Sequence, residues 1–185
     1  MYEVEVKVPA DLETVRDRLV ALEATPRGAV VQVDTYYDAP HREFAETDEA
    51  LRIRSERPED GEAETRVTYK GPLVDEESKT REEVETTVGN GEKTDEILTN
   101  LGFEPAATVR KDRERFALEE YTVTLDSVDD VGEYVEVETD VEAETDLEAA
   151  REGAYEVLER LGLDPDDQLR TSYLGLLLAA DDSSH

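Results

Sequence analysis

The chain contains no cysteine, which excludes disulfides, thiolate metal sites and a cysteine nucleophile. Lysine is scarce: Lys7, Lys70, Lys79, Lys93 and Lys111 are the only five in 185 residues. Aromatic residues make up 6%, and histidine occurs twice. His41 lies in the loop-like Ala39-Pro40-His41-Arg42 and reads as a surface residue, not a catalytic base; His185 is the last residue. The longest apolar run near the C-terminus, residues 174–180, is far short of the ~20 residues that cross a bilayer. The first residues read as a charged strand and not as a signal sequence. These absences lead to the expectation of a cytoplasmic protein.

What is abundant is negative charge. Asp and Glu total 50 against 20 Lys and Arg, a formal net charge of -30. A surface rich in carboxylates and poor in lysine suits molar salt, where repulsion is screened over roughly 3 Å; the chain reads as halophilic. The same charge disfavours nucleic acid and anionic membranes as partners, because phosphate backbones reward clustered cations on an exposed face. A phosphorylated small molecule remains open to a local pocket. The apolar residues are periodic and grouped in element-sized runs, which argues for a folded protein against a disordered one.

The periodicity predicts strand 2–8, then an amphipathic helix 11–23 with Leu12, Val15, Leu19 and Leu22 on one face, broken by Pro26 and Gly28. Strands follow at 29–37, 50–56, 64–70 and 80–88, the middle two joined by the turn Pro58-Glu59-Asp60-Gly61. A helix at 92–101 ends at Gly102, and strands resume at 107–118, 121–127 and 133–141. Thr145 or Asp146 caps a helix to Leu161, a last amphipathic segment covers 166–180, and 181–185 is a disordered tail. With no long linker, this is one α+β domain over residues 1–180, built on antiparallel sheet.

Alternate positions of these strands carry charge. Glu3, Glu5 and Lys7 share one face of the first strand while Val4, Val6 and Val8 take the other; Glu136 and Glu138 alternate in the same way with Val135 and Val137. If neighbours, the two acidic strands could hold a divalent cation. In so acidic a chain each motif alone fits an ordinary half-exposed strand. The basic sets are less expected: Arg52 with Arg54, Arg66 with Lys70, Arg81 beside Glu83 and Glu85, and Lys111 with Arg113 and Arg115. A solvated sheet face should share the carboxylate surplus, so a closed or strongly curved barrel with a wet, charged interior explains these faces better.

The opening Glu-Val-Glu-Val-Lys, Asp34-Thr35-Tyr36-Tyr37-Asp38, Glu49-Ala50-Leu51-Arg52-Ile53-Arg54, Thr68-Tyr69-Lys70-Gly71-Pro72, Lys111-Asp112-Arg113, Glu136-Val137-Glu138 and Ser172-Tyr173 occur in one order. In that order the chain resembles the CYTH superfamily, the triphosphate tunnel metalloenzymes, and within it the class IV adenylate cyclase group. The resemblance runs from Tyr2 to about Leu178 and implies an antiparallel tunnel that acts on a triphosphate with Mg2+ or Mn2+. Carried over, Glu3, Glu5, Glu136 and Glu138 hold metal, and Lys7, Arg52, Arg54, Lys70, Lys111, Arg113, Arg115 and Arg170 bind phosphates. Lys7 and Asp126 act in catalysis, and Arg81, Glu83 and Glu85 organise an ion-pair network. The implied activity is cyclisation of ATP to cyclic AMP and pyrophosphate. Inorganic, thiamine or nucleoside triphosphatase activity and a non-catalytic triphosphate sensor are the alternatives, and a homodimer is left open.

Overall fold

Eight strands form the body of the fold: β1 (Tyr2–Pro9), β2 (Thr25–Asp38), β3 (Ala50–Pro58), β4 (Glu64–Leu73), β5 (Lys79–Val88), β6 (Glu104–Leu118), β7 (Tyr121–Val128) and β8 (Gly132–Val141). In the computed structural model, which describes residues 1–183, they pair antiparallel in the order β1-β5-β4-β3-β2-β6-β7-β8 and close into a barrel. The seam is made by β1, which pairs with β8 along its whole length and with β5 over Tyr2 to Glu5. Five helices flank the barrel: α1 (Leu12–Ala21), α2 (Phe44–Thr47), α3 (Gly91–Asn100), α4 (Leu147–Arg160) and α5 (Tyr173–Ser183). No helix among the described residues is long and apolar enough to cross a membrane.

The hydrophobic core lies outside the barrel wall. Val6 and Val8 of β1, Val123 and Leu125 of β7 and Val135 and Val137 of β8 turn outward and pack against Leu12, Val15 and Leu19 of α1 and Ala154, Val157 and Leu158 of α4. Each buried aliphatic side chain contributes about 1.5–3 kcal/mol, so this face carries much of the fold. Asp11 caps α1 by accepting from the Thr14 amide at 3.0 Å. α4 lies so close to β7 that a side chain at Gly153 would overlap the Tyr121 hydroxyl, which donates to Ala150 O at 2.9 Å. A second cluster, with Val109, Val128, Tyr134 and Tyr173, seats α5 on one end of the barrel.

Three expectations change. The strand expected from residue 29 begins at Thr25, so Pro26 and Gly28 lie inside β2, where a register shift between Pro26 and Ala29 absorbs them with Gly28 at φ +94°. The last helix starts at Tyr173, not at 166. Asp164 caps a single tight turn at Pro165–Asp167, Gln168 is extended, and the Leu169 amide donates to Lys7 O at 2.7 Å instead of entering a helix. α5 continues through Ser183, so residues 181–183 of the expected disordered tail are helical, and 184–185 lie outside the described residues.

Candidate active site

Because side chains alternate along a strand, the face opposite the valines points into the barrel, and there all eight strands present polar groups. The resulting cavity of about 390 Å³ is lined by nine basic and nine acidic residues. Nine of 20 basic residues therefore meet nine of 50 acidic ones, which leaves the interior near neutrality within a chain of charge -30.

The acidic wall comes from β1 and β8, with Glu5 opposite Glu138 and Lys7 opposite Glu136. Carboxylate oxygens of Glu3, Glu5 and Glu138 lie within 4.8 Å of one another. Lys70 donates to Glu3 at 2.9 Å and Lys79 to Glu5 at 3.0 Å. Burial raises the Glu3 and Glu5 carboxyls, but Lys70 and Lys79 respectively overcome it and leave both at about 2. Glu138 is pushed up to about 8 by burial and the neighbouring Glu3, against a weaker opposing pull from Arg113. Three hard oxygen donors brought this close together suit a divalent cation, whose charge would draw the proton off Glu138. Glu136 stands apart from this trio and accepts from Arg113 at 3.2 Å.

The opposite wall is cationic, and buried aspartates orient it. Asp34, fully buried on β2, accepts from Arg54 at 2.7 and 2.8 Å and from Lys111 at 3.3 Å, while Arg52 stays 4.0 Å away with its Nε unpartnered. Burial alone would raise the Asp34 carboxyl; Lys111, Arg54 and Arg52 hold it well below the carboxylate range. Asp126 grips Arg113 with two bonds of 2.7 Å. These forks fix the guanidinium planes before any ligand arrives. Lys111 is drawn down to about 7, by burial first and then by the adjacent Arg54.

Lys7 and Asp126 point inward, yet neither lines the cavity. Tyr173 from α5 covers them: Lys7 Nζ, without a hydrogen-bond partner, sits 4.1 Å from the ring centroid, and the Tyr173 hydroxyl donates to Asp126 at 2.7 Å. Burial and nearby Lys79 bring the Lys7 ammonium down to about 7. Both side chains therefore sit just behind the cavity lining, under the Tyr173 ring. Arg170 is also outside the cavity. It precedes α5 and donates to Asp75 O at 2.6 Å and Ser78 O at 3.3 Å, tying the β4–β5 loop in place.

The structure does bring Arg52, Arg54, Lys111, Arg113 and Arg115 together around the cavity with Glu3, Glu5 and Glu138, and places Lys70 on the acidic side, bonded to Glu3. Arg81 donates to Asp48 at 2.8 Å, Lys70 approaches Glu83 at 3.4 Å, and Thr68 donates to Glu85 at 2.8 Å, a chain of ion pairs and hydrogen bonds along β4 and β5. Burial raises Glu83 to about 7. Sequence reasoning passed over Asp34, Glu56, Lys79 and Tyr173. Asp34 and Lys79 were findable, since each shares the parity of neighbouring inward residues. Tyr36, Phe44, Leu174 and Leu178 form an apolar mouth beside α5.

An eight-stranded antiparallel barrel whose interior opposes a carboxylate trio to a wall of oriented arginines defines a tunnel-type polyanion site. Residues 1–173 match the model of the CYTH domain, and the chain belongs to the CYTH family. It is 37% identical over 177 residues to "Putative adenylate cyclase MJ0240" of Methanocaldococcus jannaschii, covering 95% of this chain and 98% of that one. The solved PH1819 protein of Pyrococcus horikoshii OT3 superposes with a TM-score of 0.90 at 38% identity, over 96% of this chain and 98% of that chain. A Hippeastrum structure, described as a putative adenylyl cyclase with a dominant triphosphatase activity, shares the fold at a TM-score of 0.68 and 16% identity, over 96% and 95% of the two chains.

Proposed function

We propose that the chain is a divalent-metal-dependent enzyme acting on a triphosphate, with ATP as substrate and cyclic AMP and pyrophosphate as products. The observation that carries this reading is the Glu3–Glu5–Glu138 trio facing Arg52, Arg54, Lys111 and Arg113 across one cavity. Glu3, Glu5 and Glu138 would hold Mg2+ or Mn2+, which supplies Lewis acidity to phosphoryl oxygens and lowers the pKa of an attacking hydroxyl. Arg54 and Arg113, already locked by Asp34 and Asp126, hold the phosphates and meet the charge that develops on the leaving pyrophosphate without reorganising. The apolar mouth at Tyr36, Phe44, Leu174 and Leu178 gives a base a surface to lie on. With the nucleoside held there, its 3′-hydroxyl attacks the α-phosphorus as the bond to the bridging oxygen breaks. The 37% identical relative bears the name of a cyclase, which supports the same choice.

Hydrolysis of inorganic, thiamine or nucleoside triphosphate is the second reading, because the charged interior serves water as readily as a ribose hydroxyl and only the mouth distinguishes them. The test is incubation in molar KCl with Mg2+ or Mn2+ and either ATP or inorganic triphosphate, followed by product identification. Cyclic AMP with pyrophosphate supports the cyclase, orthophosphate moves the assignment to hydrolysis, and tight binding without turnover makes the chain a sensor.

A further inference from the structure

The cations of the tunnel are not equally available. β3 and β6 both pair antiparallel with β2, so they run in the same direction, and Arg52, Arg54 and Glu56 descend beside Lys111, Arg113 and Arg115. The stagger of the barrel brings Arg115, four residues past Lys111, level with Glu56 two strands away. Near the α5 mouth Arg52 is loosely held, 4.0 Å from Asp34 and with a free Nε. At the opposite end Arg115 gives both terminal nitrogens to Glu56, at 3.1 and 2.9 Å, and Gln32 Nε2 donates to the same carboxylate at 2.7 Å. Arg66, on the same rim, donates to Glu64 at 2.7 Å and lies 3.7 Å from Glu85.

Positive charge at the far rim is thus matched inside the protein. Glu56 lies beyond the cavity lining, and the bonds from Arg115 and Gln32, overriding the effect of burial, keep its carboxyl at about 2 and therefore anionic. The α5 mouth offers Asp38, Asp48 and Glu49 among apolar side chains. Arg115 is thus the last cation of β6 that lines the cavity, and the Glu56 carboxylate closes that end of the row. The stretch from Lys111 to Arg115, at ~3.3 Å per residue and a typical strand tilt, covers roughly 10 Å of barrel axis.

We propose that the Gln32–Glu56–Arg115 clasp is a length stop, with Glu56 limiting the ligands of this tunnel to short condensed phosphates and excluding linear polyphosphate. The inference rests on the triphosphate reading given above. A chain reaching past Arg115 must either break a two-bond ion pair or lie against the Glu56 carboxylate, and both penalties act only on the longer ligand.

Calorimetric titration in molar KCl with Mg2+ tests it, using linear triphosphate, linear tetraphosphate and a polyphosphate of tens of units. The unsubstituted protein should bind triphosphate at least about tenfold more tightly than either longer chain. Glu56→Gln keeps the volume and removes the charge; it should tighten the longer chains by about tenfold while triphosphate changes by less than about threefold. Equal affinity of the unsubstituted protein for all three overturns the proposal, as does an unchanged preference in a Glu56→Gln protein that still binds triphosphate. Should that variant fail to fold, Glu56→Met replaces it, and the preference of the unsubstituted protein decides without either. Absence of triphosphate binding in the unsubstituted protein would instead remove the triphosphate reading, and the length stop with it.

Discussion

Replacing Glu138 by glutamine should strengthen the metal-free protein and weaken its hold on metal, two opposite signs from one substitution. Glu138 sits at about 8 in the folded protein against an ordinary 4.5, because it is buried beside Glu3. A carboxyl raised in this way favours folding fully below its unfolded value, and that contribution is lost as pH rises through about 8. At 1.36 kcal/mol per unit, the metal-free protein loses roughly 3 kcal/mol between pH 6 and pH 9 from this group. At this chain length that is about 5–10 °C in melting temperature. Glu138→Gln cannot ionise, so its curve lacks this component. Glu83, Lys7 and Lys111, each at about 7, titrate in both proteins and cancel from the difference. Mg2+ should raise the melting temperature of the unsubstituted protein most at pH 9, and Glu138→Gln should lower Mg2+ affinity at least about tenfold. Scanning calorimetry of both proteins at pH 6 and 9, with EDTA or Mg2+, reads all of these. A Glu138→Gln protein that is less stable than its parent at pH 9 in EDTA, or that gains as much from Mg2+, refutes the reasoning.

Arg113→Lys exchanges a fork for a point charge and leaves half of the Asp126 grip unmade; phosphate affinity should fall about tenfold or more, measured by triphosphate titration. Gly153→Ala drives a methyl group into the Tyr121 hydroxyl and should cost about 1–3 kcal/mol in chemical denaturation without altering Mg2+ affinity. With a net charge of -30, the melting temperature should climb steeply as KCl rises from 0.1 M to molar levels; a flat salt profile would contradict the halophilic reading.

Period two is a local property, so the inward faces of β1, β3, β6 and β8 were readable from alternation alone. Depth is not local. Lys7 and Asp126 have inward parity, yet whether they reach the cavity depends on Tyr173, more than forty positions past Asp126, and nothing in β1 announces that cover. Asp34 and Glu56 were missed for a different reason: in a chain with 50 acidic residues one more acid carries little information, whereas an inward arginine stands out. Lys79 was lost to a boundary placed one residue late. The early start assigned to the last helix came from Leu169, Tyr173, Leu176 and Leu177, whose helical spacing continues across a break that Pro165 and the bond from Leu169 to Lys7 O impose.

The seam at β1 also bears on how the molecule is assembled during synthesis. Its valines and its backbone partners belong largely to β8 and α4, more than 120 residues later, so the ribosome must release most of the chain before the first strand can settle. Until then β1 carries an unpaired apolar edge, and closure depends on distant contacts of the kind that slow folding to milliseconds or longer. The abundant surface carboxylates then have a second use, holding nascent copies apart while each waits for its own C-terminal half.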